Sequence, residues 1–319
     1  FTTGAFAIAA TLLTVLVACV PDPAGTPPAT TTTTSTTTTT TSTTTSTTST
    51  TTTLPPGPQR YLQTVFASAT KTSSVTYATA LDNLGATKTL RLDIYRPTGD
   101  TVTNRPAIVW VHGGGFVHGT RTDDTTLLQE LSKMGYVVVS IDYRLEASPT
   151  WNPYGDPYAL SVDPSWLAAV ARAQDDTRAA VAWLRTRATN YGIAPERIAV
   201  AGASAGGITA LNVAYALDAA TGANGPTDPS RVRAAVSLVG TTRPEWVQAG
   251  EPPAYMANGS LDTLVPTDLS QPVCPAAQAV GVYCEYHLYP VEHAGLTAYF
   301  AEILVDVPRF LYERVVTAP

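Results

Sequence analysis

The stretch RIAVAGASAGG, residues 197–207, decides the fold of this chain. Its apolar start predicts a buried strand over 197–201, and the helical spacing of apolar residues after it predicts a helix over 205–217. Between them lies GASAG at 202–206, which matches G-x-S-x-G. Small residues there let the backbone make a sharp strand-to-helix turn that exposes a serine hydroxyl. The pattern predicts Ser204 as a nucleophile, and the alternative is a tight turn with Ser204 as an incidental helix cap.

Strand and helix patterns alternate on both sides of this stretch. The apolar runs that predict strands are 75–80, 89–95, 107–111, 136–141, 197–201, 232–239, 254–257 and 283–288. Helical spacing covers 127–134, 166–190, 205–217, 275–280 and 296–315. Alternation of this kind predicts an α/β fold, with a mostly parallel central sheet and helices on both faces.

A glycine-rich loop, HGGGF at 112–116, follows the predicted strand 107–111. Three glycines leave backbone N–H groups uncovered, so these groups can approach the negative charge that develops on a substrate oxygen. A lone run of glycines is more often a flexible turn. This run lies about 90 residues before Ser204, and we therefore predict that it forms an oxyanion hole for that nucleophile.

A serine nucleophile needs a base, and the chain has four histidines. His112 belongs to the glycine loop, and His118 lies just past it. His287 falls inside a strand pattern, where it is expected to pack or to face solvent. His293 lies in a predicted loop before the last helix, from which it can reach over the carboxyl edge of the sheet, so His293 is the predicted base.

The base in turn needs an acid that holds its tautomer. Asp262 follows a predicted strand, and the chain order Ser204, Asp262, His293 is one in which the three can meet on such a sheet. Asp262 is therefore the predicted acid. Asp268 and Glu292 remain as rivals, although Asp268 lies further toward the next helix and Glu292 is adjacent to His293, where neighbouring side chains usually diverge.

Together these motifs resemble the α/β-hydrolase superfamily, on its carboxylesterase and hormone-sensitive-lipase-like side. The motifs are HGGGF at 112–116, IDYRL at 141–145, GASAG at 202–206 and the run GSLDTLVP to EHAG from 259 to 295. The resemblance covers about residues 70–315 and implies the α/β-hydrolase fold. It also implies that the N–H groups of Gly114, Gly115 and Ala205 donate to the oxyanion.

The resemblance implies a serine carboxylic ester hydrolase that works through an acyl-enzyme. Short-chain or polymer-linked esters are the expected substrates, including acetyl or feruloyl groups on polysaccharides, or a polyester. A lipase or a peptidase of the same fold is an alternative within the family. The alternative from another class is a non-catalytic binding or adhesion module built on a hydrolase scaffold.

The segment 146–164 departs from the family pattern as an inserted loop rich in Trp, Tyr and Pro. Its place after a strand predicts that it lies near the active edge of the sheet. We expect Trp151, Tyr154 and Tyr158, with Phe116, to line the substrate pocket. The alternative is that these aromatic side chains only pack the loop against the protein.

The three cysteines have separate predicted roles. Cys274 and Cys284 flank a short helical segment, and in an exported protein they are expected to pair. Two unpaired buried thiols are the alternative. The odd cysteine, Cys19, ends the sequence LVAC, which resembles a bacterial lipobox in which the cysteine carries lipid. A plain signal peptide that happens to contain cysteine is the alternative there.

The N-terminal composition predicts export. Residues 5–18 are almost continuously apolar, which is short for a membrane span but typical of a secretory signal. Residues 30–53 are all Thr or Ser and cannot bury apolar surface, so they predict a solvated linker. We divide the chain into a signal and lipobox segment (1–19), a disordered Thr/Ser-rich linker (20–59) and a catalytic domain (60–319).

Composition excludes several classes of function. The net charge of −6 disfavours a nucleic-acid partner, because phosphate binding needs a basic surface. The 3 Cys and 4 His are not spaced as a zinc site, and no metal or organic cofactor is expected. The predicted partner is a small-molecule or polymeric ester, and the only predicted membrane contact is a lipid anchor at Cys19. The protein is expected to be a cell-surface lipoprotein or a secreted enzyme.

Overall fold

A computed structural model describes residues 59–146, 164–216 and 227–318. The predicted lipidation site Cys19 lies outside these residues, and so do the predicted pocket residues Trp151, Tyr154 and Tyr158. The proposed division at residues 19 and 59 stays a prediction.

The described strands form one eight-stranded sheet in the order β1-β2-β4-β3-β5-β6-β7-β8. The strands are β1 (Ala69–Leu81), β2 (Thr87–Pro97), β3 (Arg105–Val111), β4 (Val137–Ile141), β5 (Ile193–Ala203), β6 (Ala235–Leu238), β7 (Ala254–Gly259) and β8 (Cys284–Tyr289). β2 pairs antiparallel with both β1 and β4, and every other pairing is parallel. The sheet is therefore mostly parallel, as the alternating pattern predicts.

The central strands are apolar on both faces because helices cover both sides of the sheet. All seven residues of β3 are buried. Val109 packs into the core layer that contains α2 and α4, while its neighbour Ile108 packs into the layer that contains α1 and α7. These helices are α1 (Thr125–Lys133), α2 (Pro164–Thr186), α4 (Ala205–Tyr215) and α7 (Phe300–Leu311).

Shorter helical segments complete the described part of the chain. They are α3 (Ala188–Tyr191), α5 (Thr267–Ser270), α6 (Val273–Ala279), the 3₁₀ segments Pro244–Trp246 and His293–Tyr299, and the π turn Tyr312–Val316. No helix in the described ranges is both long and apolar enough to cross a membrane.

Two predicted helices differ from the observed ones in extent. The segment 166–190 breaks at Arg187, whose N–H bonds to the Leu184 carbonyl three residues back. The segment 296–315 divides into the 3₁₀ segment, α7 and the π turn. The sequence pattern predicts a loop at His293, but this residue is the first of the 3₁₀ segment, where the Gly295 N–H bonds to the Glu292 carbonyl. Backbone bonds between residues three apart account for the break at Arg187 and for the 3₁₀ segment, and the bond from the Thr317 N–H to the Tyr312 carbonyl, five residues apart, accounts for the π turn.

The predicted disulfide between Cys274 and Cys284 is present, with the two Cα atoms 5.1 Å apart. It joins α6 to the first residue of β8, and both cysteines are buried. The bond therefore fixes the segment that separates the loop after β7 from the loop after β8.

We expect the double variant Cys274→Ala/Cys284→Ala to lose about 2–3 kcal/mol of unfolding free energy, because a crosslink of this loop length restricts the unfolded chain by that amount. Urea unfolding measures the change. Dithiothreitol should shift the native protein toward the same value and leave the double variant unchanged. A native protein that is insensitive to the reductant would contradict the prediction.

Candidate active site

Ser204 occupies a sharp turn between β5 and α4. Its backbone angles are φ 55° and ψ −120°, a strained conformation for a residue with a side chain. The Ser204 N–H bonds to the Leu238 carbonyl at 2.8 Å, and the Ile208 N–H bonds to the Ser204 carbonyl at 2.9 Å. The sheet holds one side of the turn and the helix holds the other, so the side chain is presented at the carboxyl edge of the sheet.

Close packing behind the turn requires the glycines of the GASAG motif. A Cβ on Gly206 would overlap the Val111 carbonyl of β3, and a Cβ on Gly202 would overlap the backbone of Gly206. α4 thus lies directly against the end of β3. The small residues quoted from the sequence are needed for this approach.

His293 connects Ser204 to Asp262. Its Nε2 lies 2.8 Å from Ser204 Oγ, and its Nδ1 lies 2.7 Å from Asp262 Oδ2. In the neutral ring, Nδ1–H donates to the carboxylate and Nε2 accepts from the hydroxyl. This is the geometry in which a serine hydroxyl can lose its proton to a base as it attacks.

Asp262 is fixed by backbone donors. Its side chain is 0% exposed, and its Oδ1 accepts the N–H groups of Leu264 and Val265, each at 2.9 Å. These bonds leave Oδ2 for His293. The carboxylate is thereby oriented before any substrate binds.

The loops that carry Asp262 and His293 meet through a glycine. A Cβ on Gly259 would overlap the Val291 carbonyl, so the two loops touch at backbone distance there. The Leu261 N–H also bonds to the Val291 carbonyl at 3.0 Å. Residues 31 apart in sequence are held side by side in this way.

The rival acids lie elsewhere. Asp268 is exposed in α5, and Glu292 is exposed at the residue before the 3₁₀ segment. His287 stacks on Tyr255 and bonds to Glu285 at 3.2 Å, so it is a packing residue, as expected.

The glycine loop lies beside Ser204. A Cβ on Gly113 would come within 3.3 Å of the Ser204 Cβ. Gly114 and Gly115 have φ angles of 108° and 59°, which glycine adopts without strain. Among the described residues, the N–H groups of Gly114, Gly115 and Ala205 bond to no backbone carbonyl, so they are available as donors. The structure places the predicted oxyanion loop next to Ser204.

Phe116 does not occupy the predicted position in a substrate pocket. Its side chain is 1% exposed and packs edge-on against Trp166 at 5.5 Å and Tyr143 at 6.2 Å. Its backbone is also left-handed, with φ 65°, and its carbonyl accepts the Glu146 N–H at 2.8 Å. These contacts place the ring in the core, where it anchors the glycine loop to Trp166 and Tyr143.

Sequence reasoning missed the side chains behind the glycine loop. Tyr143 lies against His112, with ring centroids 4.3 Å apart, and Arg121 bonds to Asp142 at 2.6 Å and to Asp93 at 2.8 Å. The IDYRL motif is the sequence signal for Asp142 and Tyr143. The motif alone indicates only the family resemblance, because the position of these two side chains depends on a pairing of strands that the sequence does not display.

No group of three or more His, Cys, Asp or Glu side chains that could hold a metal ion occurs in the part of the chain that the structure describes. A cleft of about 970 Å³ lies at the opposite edge of the sheet, where β5 to β8 begin, and includes Arg185, Glu251, Tyr283 and Ala318 in its lining. Its position separates it from Ser204.

A family model described as BD-FAE matches residues 92–153 and 158–243 of the chain. The matched ranges include the glycine loop and Ser204 and end before Asp262 and His293.

Two relatives with similar sequences are esterases by name. Carboxylesterase NlhH of Mycobacterium tuberculosis is 36% identical over 117 residues, which is 36% of this chain and 31% of that protein. Esterase LipI of the same species is 34% identical over 119 residues, which is 37% of this chain and 31% of that protein. The match therefore spans about a third of the length of these relatives.

Solved structures cover more of the chain. Thermogutta terrifontis esterase 2 phosphoramylated by tabun superposes with a TM-score of 0.64 at 21% identity, over 78% of this chain and 96% of that one. The propionate-bound form gives 0.63 at 22% identity, over 77% and 95%. The chain has the α/β-hydrolase fold. In this fold, Ser204, Asp262 and His293 follow β5, β7 and β8, and they meet because parallel strands end at one edge.

The variant Asp262→Asn should slow covalent labelling of Ser204 by a fluorophosphonate roughly 10³- to 10⁴-fold, because the amide cannot hold the His293 tautomer that accepts the serine proton. Mass spectrometry of the labelled peptide over time measures the rate. Asp268→Asn is the matched control, and it should label within about twofold of the native rate because Asp268 is exposed and His293 Nδ1 bonds to Asp262 instead. If Asp268→Asn labelled slowly and Asp262→Asn labelled at the native rate, Asp268 and not Asp262 would be the acid.

Proposed function

We propose that the protein is a serine carboxylesterase. The observation that carries the proposal is the unbroken chain of hydrogen bonds from Asp262 through His293 to Ser204, at 2.7 and 2.8 Å, beside a loop of free N–H donors. The named relatives are a carboxylesterase and an esterase, which supports the same activity.

In the proposed reaction, Ser204 Oγ attacks the ester carbonyl while its proton passes to His293 Nε2. Asp262 stabilises the imidazolium that forms, and the N–H groups of Gly114, Gly115 and Ala205 bind the oxyanion. His293 then gives the proton to the departing alcohol and leaves an acyl-enzyme. Water, deprotonated by His293, hydrolyses that intermediate and restores Ser204.

For the substrate, we propose short-chain esters or polymer-linked esters, the latter being acetyl or feruloyl groups on a polysaccharide, or a polyester. Structures of the Thermogutta terrifontis esterase have propionate or butyrate bound, and these short acyl groups support the first part of the proposal. That esterase is also phosphorylated by paraoxon, a reagent that modifies activated nucleophiles. The same class of reagent suits Ser204.

We further propose that the protein is exported and anchored by lipid at Cys19. The apolar residues 5–18 and the LVAC sequence at 16–19 support export and lipidation. The disulfide between Cys274 and Cys284 supports an oxidising compartment. An enzyme held outside the cell can reach polymers that are too large to import.

The variant Ser204→Ala should lose turnover of p-nitrophenyl acetate by roughly 10⁴-fold or more, because the acyl-enzyme cannot form. Release of p-nitrophenol measures turnover, and circular dichroism checks that the fold persists. A folded Ser204→Ala variant with native activity would overturn the proposed mechanism. Native protein that neither turns over esters nor takes a fluorophosphonate would favour the non-catalytic scaffold.

The mature protein should be purified from the membrane fraction of a bacterial host that processes lipoprotein signals. Mass spectrometry should then find an N-terminal Cys19 that carries lipid. Cys19→Ser should abolish the lipid and release the protein from the membrane fraction, because serine offers no thiol for the thioether bond. An unmodified terminus downstream of residue 19 would contradict the anchor and leave the esterase proposal untouched.

A further inference from the structure

The glycine loop is held from behind by two buried side chains. Tyr143, which follows β4, has its hydroxyl 3.2 Å from the His112 carbonyl oxygen and 3.4 Å from that of Gly113. The His112 ring stacks on Tyr143, and its Nδ1 lies 2.7 Å from the same Gly113 carbonyl. Neither side chain touches the reacting atoms, so any role they have in catalysis acts through the loop.

Burial fixes which atoms donate. It lowers the pKa of His112 and raises the pKa of Tyr143, so the imidazole is neutral and the phenol keeps its proton at neutral pH. A carbonyl oxygen can only accept a hydrogen bond. The ring proton of His112 is therefore on Nδ1 and is donated to the Gly113 carbonyl. The single hydroxyl proton of Tyr143 is shared between the His112 carbonyl at 3.2 Å and the Gly113 carbonyl at 3.4 Å.

These bonds determine where the next N–H groups point. The peptide bonds of the described residues are trans, and in a trans peptide the C=O and N–H groups point in opposite directions. Donors on the Gly113 carbonyl thus set the direction of the Gly114 N–H. The Gly114 carbonyl accepts the N–H groups of Val117 and His118, both at 3.1 Å, and this sets the direction of the Gly115 N–H.

The position of Tyr143 is itself fixed by its neighbour in sequence. The carbonyl of Asp142 accepts the Tyr77 hydroxyl of β1 at 2.6 Å, and the carboxylate of Asp142 pairs with Arg121 at 2.6 Å. The Asp142 N–H bonds to the Arg91 carbonyl of β2 at 2.8 Å. The hydroxyl of Tyr143 is therefore presented to the glycine loop from a rigid segment of the sheet.

We propose that Tyr143 is a positioning residue for the oxyanion hole. Its hydroxyl bridges the His112 and Gly113 carbonyls and so holds the peptide groups that direct the Gly114 N–H toward the substrate oxygen. The inference rests on the proposed esterase function and adds a residue to it. His112 shares this role through its Nδ1–H, so the loss of one donor loosens the loop without releasing it.

The variant Tyr143→Phe keeps the ring and removes the hydroxyl. We expect kcat/KM for p-nitrophenyl acetate to fall roughly tenfold, less than the 10²–10³ that follows the outright loss of an oxyanion donor. The fall should be in kcat, with KM within about twofold, because the bond matters most where the negative charge develops.

A pair of inhibitors separates positioning from structure. With a trifluoromethyl ketone, Ser204 Oγ adds to the carbonyl, His293 takes the proton and the carbonyl oxygen becomes an oxyanion. The matching secondary alcohol binds without reaction. We expect the inhibition constant of the ketone to rise by the same factor as kcat/KM falls, and that of the alcohol to stay within about twofold.

Tyr136→Phe is the matched control, because it also removes a buried hydroxyl that donates to a carbonyl, that of Tyr61 at 2.9 Å, at the other edge of the sheet. Its kinetics should remain native. If Tyr143→Phe matches this control, or weakens the ketone and the alcohol equally, the positioning role is overturned.

His112→Leu removes the His112 donor to the Gly113 carbonyl. If Tyr143→Phe does not fold, the kinetics and the two inhibition constants are measured on His112→Leu instead, with the same expected changes. A native protein without esterase activity or fluorophosphonate labelling would overturn the proposed function and this inference together. An active native protein with an unaffected Tyr143→Phe would overturn this inference alone.

Discussion

The rest of the site depends on the close approach of α4 to the end of β3. At Gly206 the helix lies so near the Val111 carbonyl that no side chain fits between them. This contact places the start of α4 and the loop after β3 next to each other, so Ser204 and the glycine loop share one small space. A larger residue at 206 would push α4 away from β3 and so separate Ser204 from the glycine loop.

Most polar groups of the site are held by backbone rather than by other side chains. Asp262 accepts two backbone N–H groups, and the turn at Ser204 is bonded to Leu238 and Ile208. Backbone donors cannot rotate away as long side chains can, so little rearrangement is needed when charge develops. The strain at Ser204 persists because both flanking elements determine its conformation.

The sequence predicted the parts of the site that depend on order along the chain. Ser204, Asp262 and His293 each follow a strand of a parallel sheet, and such strands end at one edge, so their meeting follows from the alternating pattern. Tyr143 was missed because its role depends on how β4 pairs with β2 and β3. Phe116 was misplaced because its left-handed backbone turns the ring inward, and no local pattern displays that angle.

The first and the last of the described residues lie at the edge of the sheet opposite Ser204. Near the first, Tyr61 packs on Tyr136, where β4 begins, and near the last, Ala318 lines the cleft at the start of β5 to β8. A resin coupled to the protein at residue 318 would therefore leave the edge that carries Ser204 turned toward the bulk solution. Immobilised material should then keep access to insoluble or bulky substrates without a redesigned linker.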